Sequence, residues 1–133
     1  MKASDRLLSM PPYRYGDISA LCGKPQFEKI GGVDVLTNPA LIIEVLSAST
    51  ESYDRGDKFS AYKSIPALRE YLHIAQHRPH VSQFIRQMDD SWLNLKFNEL
   101  EAVFKVVSLD CELKLSEIYQ DVTFSSPTGH PLA

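Results

Sequence analysis

The sequence is poor in cysteine, glycine and net positive charge, and it has no long apolar run. Its two cysteines, Cys22 and Cys111, lack the paired spacing of a thiolate metal centre. They give no support to a disulfide framework and read as small buried residues of a reducing, cytoplasmic compartment. No apolar stretch approaches the roughly 20 residues of a membrane helix. The opening Met1-Lys2-Ala3-Ser4-Asp5-Arg6 leads into only a very short apolar patch, which excludes a secretory leader. Of six glycines only Gly31 and Gly32 are adjacent, and neither the lysine nor the helix of a phosphate-binding loop follows them. The net charge of −3 argues against a protein that coats nucleic acid by bulk electrostatics. No internal repeat or low-complexity tract is present, and no Ser-His-Asp arrangement emerges.

What is present is an ordinary globular composition, 44% hydrophobic and 23% charged over 133 residues, which suits one domain spanning 1–133. Met10-Pro11-Pro12 makes 1–13 an extended or poorly ordered lead-in. Charge is unevenly spread. Residues 55–86 hold six Lys/Arg against two Asp/Glu, whereas residues 87–133 hold three against eight. The middle third is the only basic stretch, a solvated face or a local phosphate-binding surface.

The pattern predicts a short strand over Tyr15–Cys22 and then a polar loop from Gln26 to Thr37 with Gly31-Gly32 at its tip. Asn38-Pro39 opens the next element. Leu41–Leu46 is the clearest strand, almost wholly apolar, as expected for a central strand buried on both faces. Asp54–Ser64 reads as a helix capped by Asp54, with Asp57 in its first turn and Pro66 closing it. Strands follow at Leu68–Ala75 and Val81–Met88 around Gln76-His77-Arg78-Pro79, then at Trp92–Phe97 and Val103–Val107. Leu113–Tyr119 is a strand end or a short helix. This order gives a mixed α/β or α+β domain built on one curved sheet.

Glu44 breaks the apolar run of its strand. An ionised carboxylate there is costly unless a partner compensates it. It is either a structural glutamate bonded to a loop amide or arginine, or a metal ligand or catalytic base on a rigid element. Asp17, near the start of the preceding strand, can bring a second hard oxygen ligand, which suits Mg²⁺ or Mn²⁺. Lys58, in the first turns of the following helix, can bring its ammonium beside the carboxylates. Together they make a minimum set for metal-assisted phosphodiester hydrolysis. Tyr62 lies one turn from Lys58, where it packs on the sheet or positions the lysine or a phosphate. Ser47 and Ser49-Thr50 follow the Glu44 strand as capping groups or phosphate donors. His73, His77 and His80 resemble a metal cluster only superficially.

The stretch Asn38-Pro39-Ala40-Leu41-Ile42-Ile43-Glu44-Val45-Leu46-Ser47, with Tyr53-Asp54-Arg55-Gly56-Asp57-Lys58-Phe59, Tyr62 and Ile65-Pro66-Ala67-Leu68-Arg69-Glu70-Tyr71-Leu72, resembles the "putative restriction endonuclease" family of the PD-(D/E)XK nuclease superfamily. Tyr13-Arg14-Tyr15-Gly16-Asp17-Ile18 resembles its upstream strand, with Gly16 where that family has proline. The similarity continues through Gln76-His77-Arg78-Pro79 and Leu115-Ser116-Glu117-Ile118-Tyr119, nearly the whole chain. The resemblance implies a restriction-endonuclease-like curved mixed sheet with a flanking helix. It places Asp17 on the Pro-Asp position and Glu44 on the (D/E)XK acid. The usual lysine position is Leu46 here, and in this branch the lysine stands on the following helix, at Lys58.

The activity so implied is Mg²⁺- or Mn²⁺-dependent DNA endonuclease chemistry. Asp17 and Glu44 serve as metal ligands, Lys58 as the catalytic cation, and Tyr62, Arg55 and Ser47 as substrate contacts. The partners implied are DNA and a second copy of the chain as a homodimer, with no membrane. Family members carry an N-terminal helix and hairpin, often with a further acidic residue, to which nothing here corresponds. A second reading is therefore a non-catalytic nuclease-fold remnant that acts as an oligomeric or interaction module. A third is hydrolysis of another phosphate ester.

Overall fold

A computed structural model describes residues 17–48 and 58–124. Among these, nine strands and two short helices form an α+β arrangement. A five-stranded sheet is built from β1 (Ile18–Ala20), β4 (Leu41–Leu46), β5 (Glu70–Ala75), β6 (Val81–Arg86) and β7 (Trp92–Phe97), in the order β1-β4-β5-β6-β7. Only β4 and β5 run parallel; every other neighbouring pair is antiparallel. A parallel pair needs a crossover connection, and this one carries α1 (Phe59–Tyr62). Two separate hairpins, β2 (Phe27–Ile30) with β3 (Val33–Leu36) and β8 (Val103–Val106) with β9 (Cys111–Lys114), complete the strands, and α2 (Leu115–Ile118) follows β9 directly.

The strand Leu41–Leu46 is apolar on both faces because both are covered. On one face Ile42 and Tyr71 pack with Phe59, Ala61, Tyr62, Ile65 and Leu68, and Phe84 and Trp92 seal the margin. Phe59 stacks on Tyr71 with ring centroids 4.9 Å apart and meets Trp92 edge-on at 5.4 Å. On the other face Leu41, Leu72 and Val81 pack with Phe104 and Val106 of the β8–β9 hairpin and with Leu115 and Tyr119 around α2. The sheet is thus the middle layer of three.

Several sequence expectations shift. The segment 26–37 is a hairpin rather than a polar loop. Gly31 and Gly32 have φ of 58° and 81°, the doubly left-handed pair that a two-residue hairpin turn requires. Its charged strand residues mask the alternation, because this ribbon buries only Ile30 and Val35. The described helix is four residues long, with Lys58 as its N-cap. Asp54, expected to cap it, and Asp57, expected in its first turn, lie outside the described residues. Leu113–Tyr119 proves to be both of its alternatives, a strand to Lys114 and then a helical turn. Cys22 and Cys111 are exposed, not buried: both fall in hairpin or loop segments at the periphery. No helix among the described residues is long and apolar enough to cross a membrane.

Candidate active site

Glu44 sits in the fourth position of β4, on the face that carries α1, and is 1% exposed. Two side chains from the crossover reach it. Tyr62 Oη donates to Glu44 Oε1 at 3.1 Å, and Lys58 Nζ approaches Glu44 Oε2 at 3.4 Å. Helix periodicity explains the pairing, since residues four apart lie on one side of a helix and converge on the same carboxylate. Tyr62 is itself buried against Tyr71. Its hydroxyl is therefore directed at the carboxylate rather than toward a substrate in solvent.

The acidic neighbour arrives from β1. The register Ile18↔Ile43 places the next step of the ladder at Asp17 and Glu44. Asp17 Oδ2 accepts a hydrogen bond from the Val45 amide at 2.7 Å, which anchors this residue beside β4. Glu44 titrates above the ordinary glutamate value. Burial is the main cause, and the Asp17 charge adds to it. Lys58 and the Tyr62 hydrogen bond oppose the shift without cancelling it. Burial and like charge together outweigh the ammonium 3.4 Å away.

The remaining expected residues divide. Ser47 follows β4 directly and is half-buried. Arg55 lies outside the described residues. The basic middle third is committed in large part to internal work. Lys58 faces Glu44, Lys63 lies over the Phe59 ring at 4.4 Å, and Arg86 Nη2 donates to the carbonyls of Lys63 and Ile65, both at 3.0 Å, while its guanidinium covers Trp92. His77 is exposed. His80 is buried between Asn98 and Ser82, its Nε2 3.0 Å from the serine hydroxyl.

Of two further buried polar residues, the sequence reading set His73 aside and passed over Glu70. His73 is paired with Glu44 across the parallel β4–β5 ladder and is enclosed by the rings of Phe59, Tyr71 and Phe84. The strand positions were legible, but the register that aligns 73 with 44 was not. Glu70, fully buried at the start of β5, is a second carboxylate in an apolar run. In the sequence Glu70 follows Arg69 at the edge of its run, so the signal that singled out Glu44 is weaker there. Its surroundings are different: Gln83 Nε2 donates to Oε2, and the Ser108 amide and hydroxyl donate to Oε1 at 2.9 and 2.7 Å. The Val107 amide adds a longer contact of 3.4 Å. Glu70 ties the β8–β9 hairpin to the opposite face of the sheet.

The family described as "Putative restriction endonuclease" (Uma2) matches residues 6–117. Two curated relatives from Synechocystis sp. are similar to the chain. "Uncharacterized protein slr1290" is 29% identical over 119 residues, 90% of this chain and 60% of its own length. "Uncharacterized protein sll1609" is 40% identical over 81 residues, 61% of this chain and 45% of its own length. The chain thus spans less than two-thirds of either relative. The match over 6–117 takes in β1, β4, the crossover and β5, every element that builds the Glu44 site, and the chain belongs to the Uma2 family of the restriction-endonuclease-like PD-(D/E)XK superfamily.

Proposed function

We propose that the protein is a divalent-metal-dependent endonuclease that hydrolyses phosphodiester bonds of cytoplasmic DNA, with Asp17 and Glu44 as ligands of Mg²⁺ or Mn²⁺ and Lys58 as the catalytic cation. The observation that carries this reading is the buried Glu44 carboxylate, oriented by a tyrosine, faced by an ammonium and repelled by a second carboxylate. A structural glutamate gains nothing from a like charge next to it. A metal ligand does.

The donor set fits a hard cation. Two carboxylates supply anionic oxygens, and Mg²⁺ commonly binds through one or two carboxylates while waters and substrate oxygens fill its other positions. Among the described residues no group of three His, Cys, Asp or Glu side chains is placed to hold a metal, and Asp17 and Glu44 are the pair assigned to it here. When bound, the cation lowers the pKa of a water and polarises the phosphoryl oxygen. The chain's own residues do the rest. Tyr62 fixes the rotamer of Glu44 through Oε1. Asp17 is held in register by the Val45 amide. Lys58 reaches Glu44 from a partly exposed position, with its side chain 18% accessible. Its ammonium neutralises the carboxylate before substrate arrives and can turn toward a phosphoryl oxygen as negative charge develops there. Arg55 and Ser47, on the segment joining β4 to α1, are assigned to the flanking phosphates.

The test is cleavage of plasmid and single-stranded DNA with Mg²⁺ or Mn²⁺, alongside calorimetric titration of the metal. Glu44→Ala should abolish both cleavage and metal binding. Lys58→Ala should slow cleavage by about 10²–10³-fold, the usual cost of removing one preorganised charge from a transition state. Cleavage that survives either substitution unchanged would sink the assignment. A chain that binds no metal at millimolar concentration would instead be an inactive remnant.

A further inference from the structure

One rung of the ladder crosses all five strands of the sheet. Asp17 stands beside Glu44, one step beyond Ile18↔Ile43. Glu44 pairs with His73, His73 with Ser82, and Ser82 with Lys96. Residues directly opposite on neighbouring strands point to one face, so Lys96 projects from the face that carries Glu44 and α1. Trp92, on the same alternation of β7, packs edge-on against Phe59 of α1 and agrees with this. The middle of the rung is closed: His73 and Ser82 are 1% and 0% exposed. Its two ends, Asp17 and Lys96, are open to solvent. Neighbouring strands lie about 4.8 Å apart, which sets Lys96 about 14 Å from Glu44 across the sheet.

The outer end of the rung is a built site. Asn98 Oδ1 lies 2.5 Å from His80 Nδ1, and His80 Nε2 lies 3.0 Å from Ser82 Oγ. An amide oxygen only accepts, so Nδ1 carries the ring proton and the neutral ring accepts the serine hydroxyl at Nε2. Two buried side chains thus hold one exposed one. Asn98 is fixed with its oxygen inward and its Nδ2 hydrogens turned away from the ring. Among the described residues those hydrogens have no acceptor, and Lys96 enters no ion pair. Charge favours an anion on this face. Residues 99–124, which hold β8, β9 and α2 against the opposite face, contain six Asp/Glu and two Lys/Arg. Lys58, Lys63, Arg86 and Lys96 all lie on the face of α1. We propose that Lys96 and Asn98 form a second phosphate subsite, which holds a DNA backbone phosphate beyond the scissile one. The proposal rests on the nuclease reading, which puts the reacting phosphate at Asp17 and Glu44. An ammonium and an oriented amide N–H are the donors that backbone phosphates ordinarily take. At about 14 Å the pair cannot touch the reacting phosphate, so it adds affinity and register rather than chemistry. Charge counting along the chain concealed it. Lys96 lies in the acidic last third, and only the sheet register carries it to the face of the site.

Fluorescence anisotropy of the full chain on a labelled DNA duplex tests it, in EDTA so that no strand is cut, over a series of salt concentrations. Circular dichroism is the control for folding, and the substituted side chains are exposed. Lys96→Ala should weaken binding about fivefold and lower the slope of log Kd on log salt by about 0.9, the share of one phosphate contact. Asn98→Leu should weaken binding about threefold with the slope unchanged, because it removes a neutral donor. Asn98→Asp keeps an acceptor for His80 but sets an anion against the phosphate, and should cost at least about tenfold. Lys114→Ala, on β9 in the opposite layer, should change affinity by less than about twofold. Affinity and slope untouched by Lys96→Ala, or Asn98→Asp binding as tightly as wild type, would overturn the subsite and leave the nuclease reading standing. Binding that keeps these dependences without any cleavage in Mg²⁺ or Mn²⁺ would overturn the nuclease reading alone. A wild type that binds no DNA would overturn both.

Discussion

Replacing Glu44 with glutamine should stabilise the metal-free protein at neutral pH, although it removes one half of a buried ion pair. The magnitude follows from the site. At a separation of 3.4 Å and an effective dielectric near 20, the attraction between Lys58 and Glu44 is about 5 kcal/mol. Desolvating a carboxylate costs several kcal/mol even after relaxation. Asp17 adds repulsion, and the upward displacement of the Glu44 pKa means that the unfavourable contributions win. Glutamine keeps an oxygen that can accept from Tyr62. It leaves Lys58, already partly exposed, able to extend its ammonium into water. Neutralising a poorly compensated buried charge in this way should yield about 1–2 kcal/mol, or about 4–7 °C in Tm for a chain of this size. The sign of the pH dependence is fixed by linkage. An acid whose pKa is raised by folding binds its proton more tightly in the native state. Its contribution is most favourable below the unfolded value of 4.5 and is lost as pH rises through the folded value. The advantage of Glu44→Gln over wild type should therefore vanish near about pH 4 and grow toward about pH 7. Paired denaturation curves in EDTA, subtracted from one another, cancel the other carboxylates and isolate this residue. With saturating Mg²⁺ or Mn²⁺ the order should reverse, since a hundredfold excess over Kd stabilises only the chain that binds, by about 2.7 kcal/mol. A glutamine variant that loses stability in EDTA, and loses more of it as pH approaches neutrality, would show that Glu44 is a structural charge and refute the argument.

Tyr62→Phe removes the hydrogen bond that lowers the Glu44 pKa, so the acid limb of the pH–rate profile should move to higher pH, at a stability cost of about 1 kcal/mol. Glu70→Ala should unfold the protein more readily by about 1–3 kcal/mol, because it removes the acceptor of one Gln83 N–H and of the half-buried Ser108 donors. The folded fraction, assayed by metal calorimetry at low temperature, should retain full affinity.

The central part of the fold was legible because the physics there is local. Leu41–Leu46 and Trp92–Phe97 have the bounds that their hydrophobic patterns suggest, since a twice-covered strand must be apolar throughout and an edge strand must alternate. The hairpin at 27–36 was obscured because a two-stranded ribbon outside the main sheet buries too little to impose a pattern, and only Gly31-Gly32 marked it. His73 was set aside for a related reason. Its position opposite Glu44 depends on the parallel register of β4 and β5, which a long crossover sets and no short-range rule encodes.

Glu44 and Glu70 show where reading charge from periodicity reaches its limit. Both are glutamates in apolar strands, both are buried, and they lie on neighbouring strands of one sheet. Sequence favours Glu44, because Glu70 follows Arg69 at the start of its strand, but it does not show what either carboxylate meets. The donors separate them. Glu70 receives two backbone amides, a serine hydroxyl and a glutamine amide, neutral groups that satisfy an anion permanently and leave it no capacity for another ligand. Glu44 receives one phenol and one partly exposed ammonium, and a like charge stands beside it. An anion held by replaceable partners and kept at a cost is poised to exchange them for a cation; an anion saturated by fixed amides is not. The buried charge in β4 therefore carries a functional inference that the equally buried charge in β5 does not.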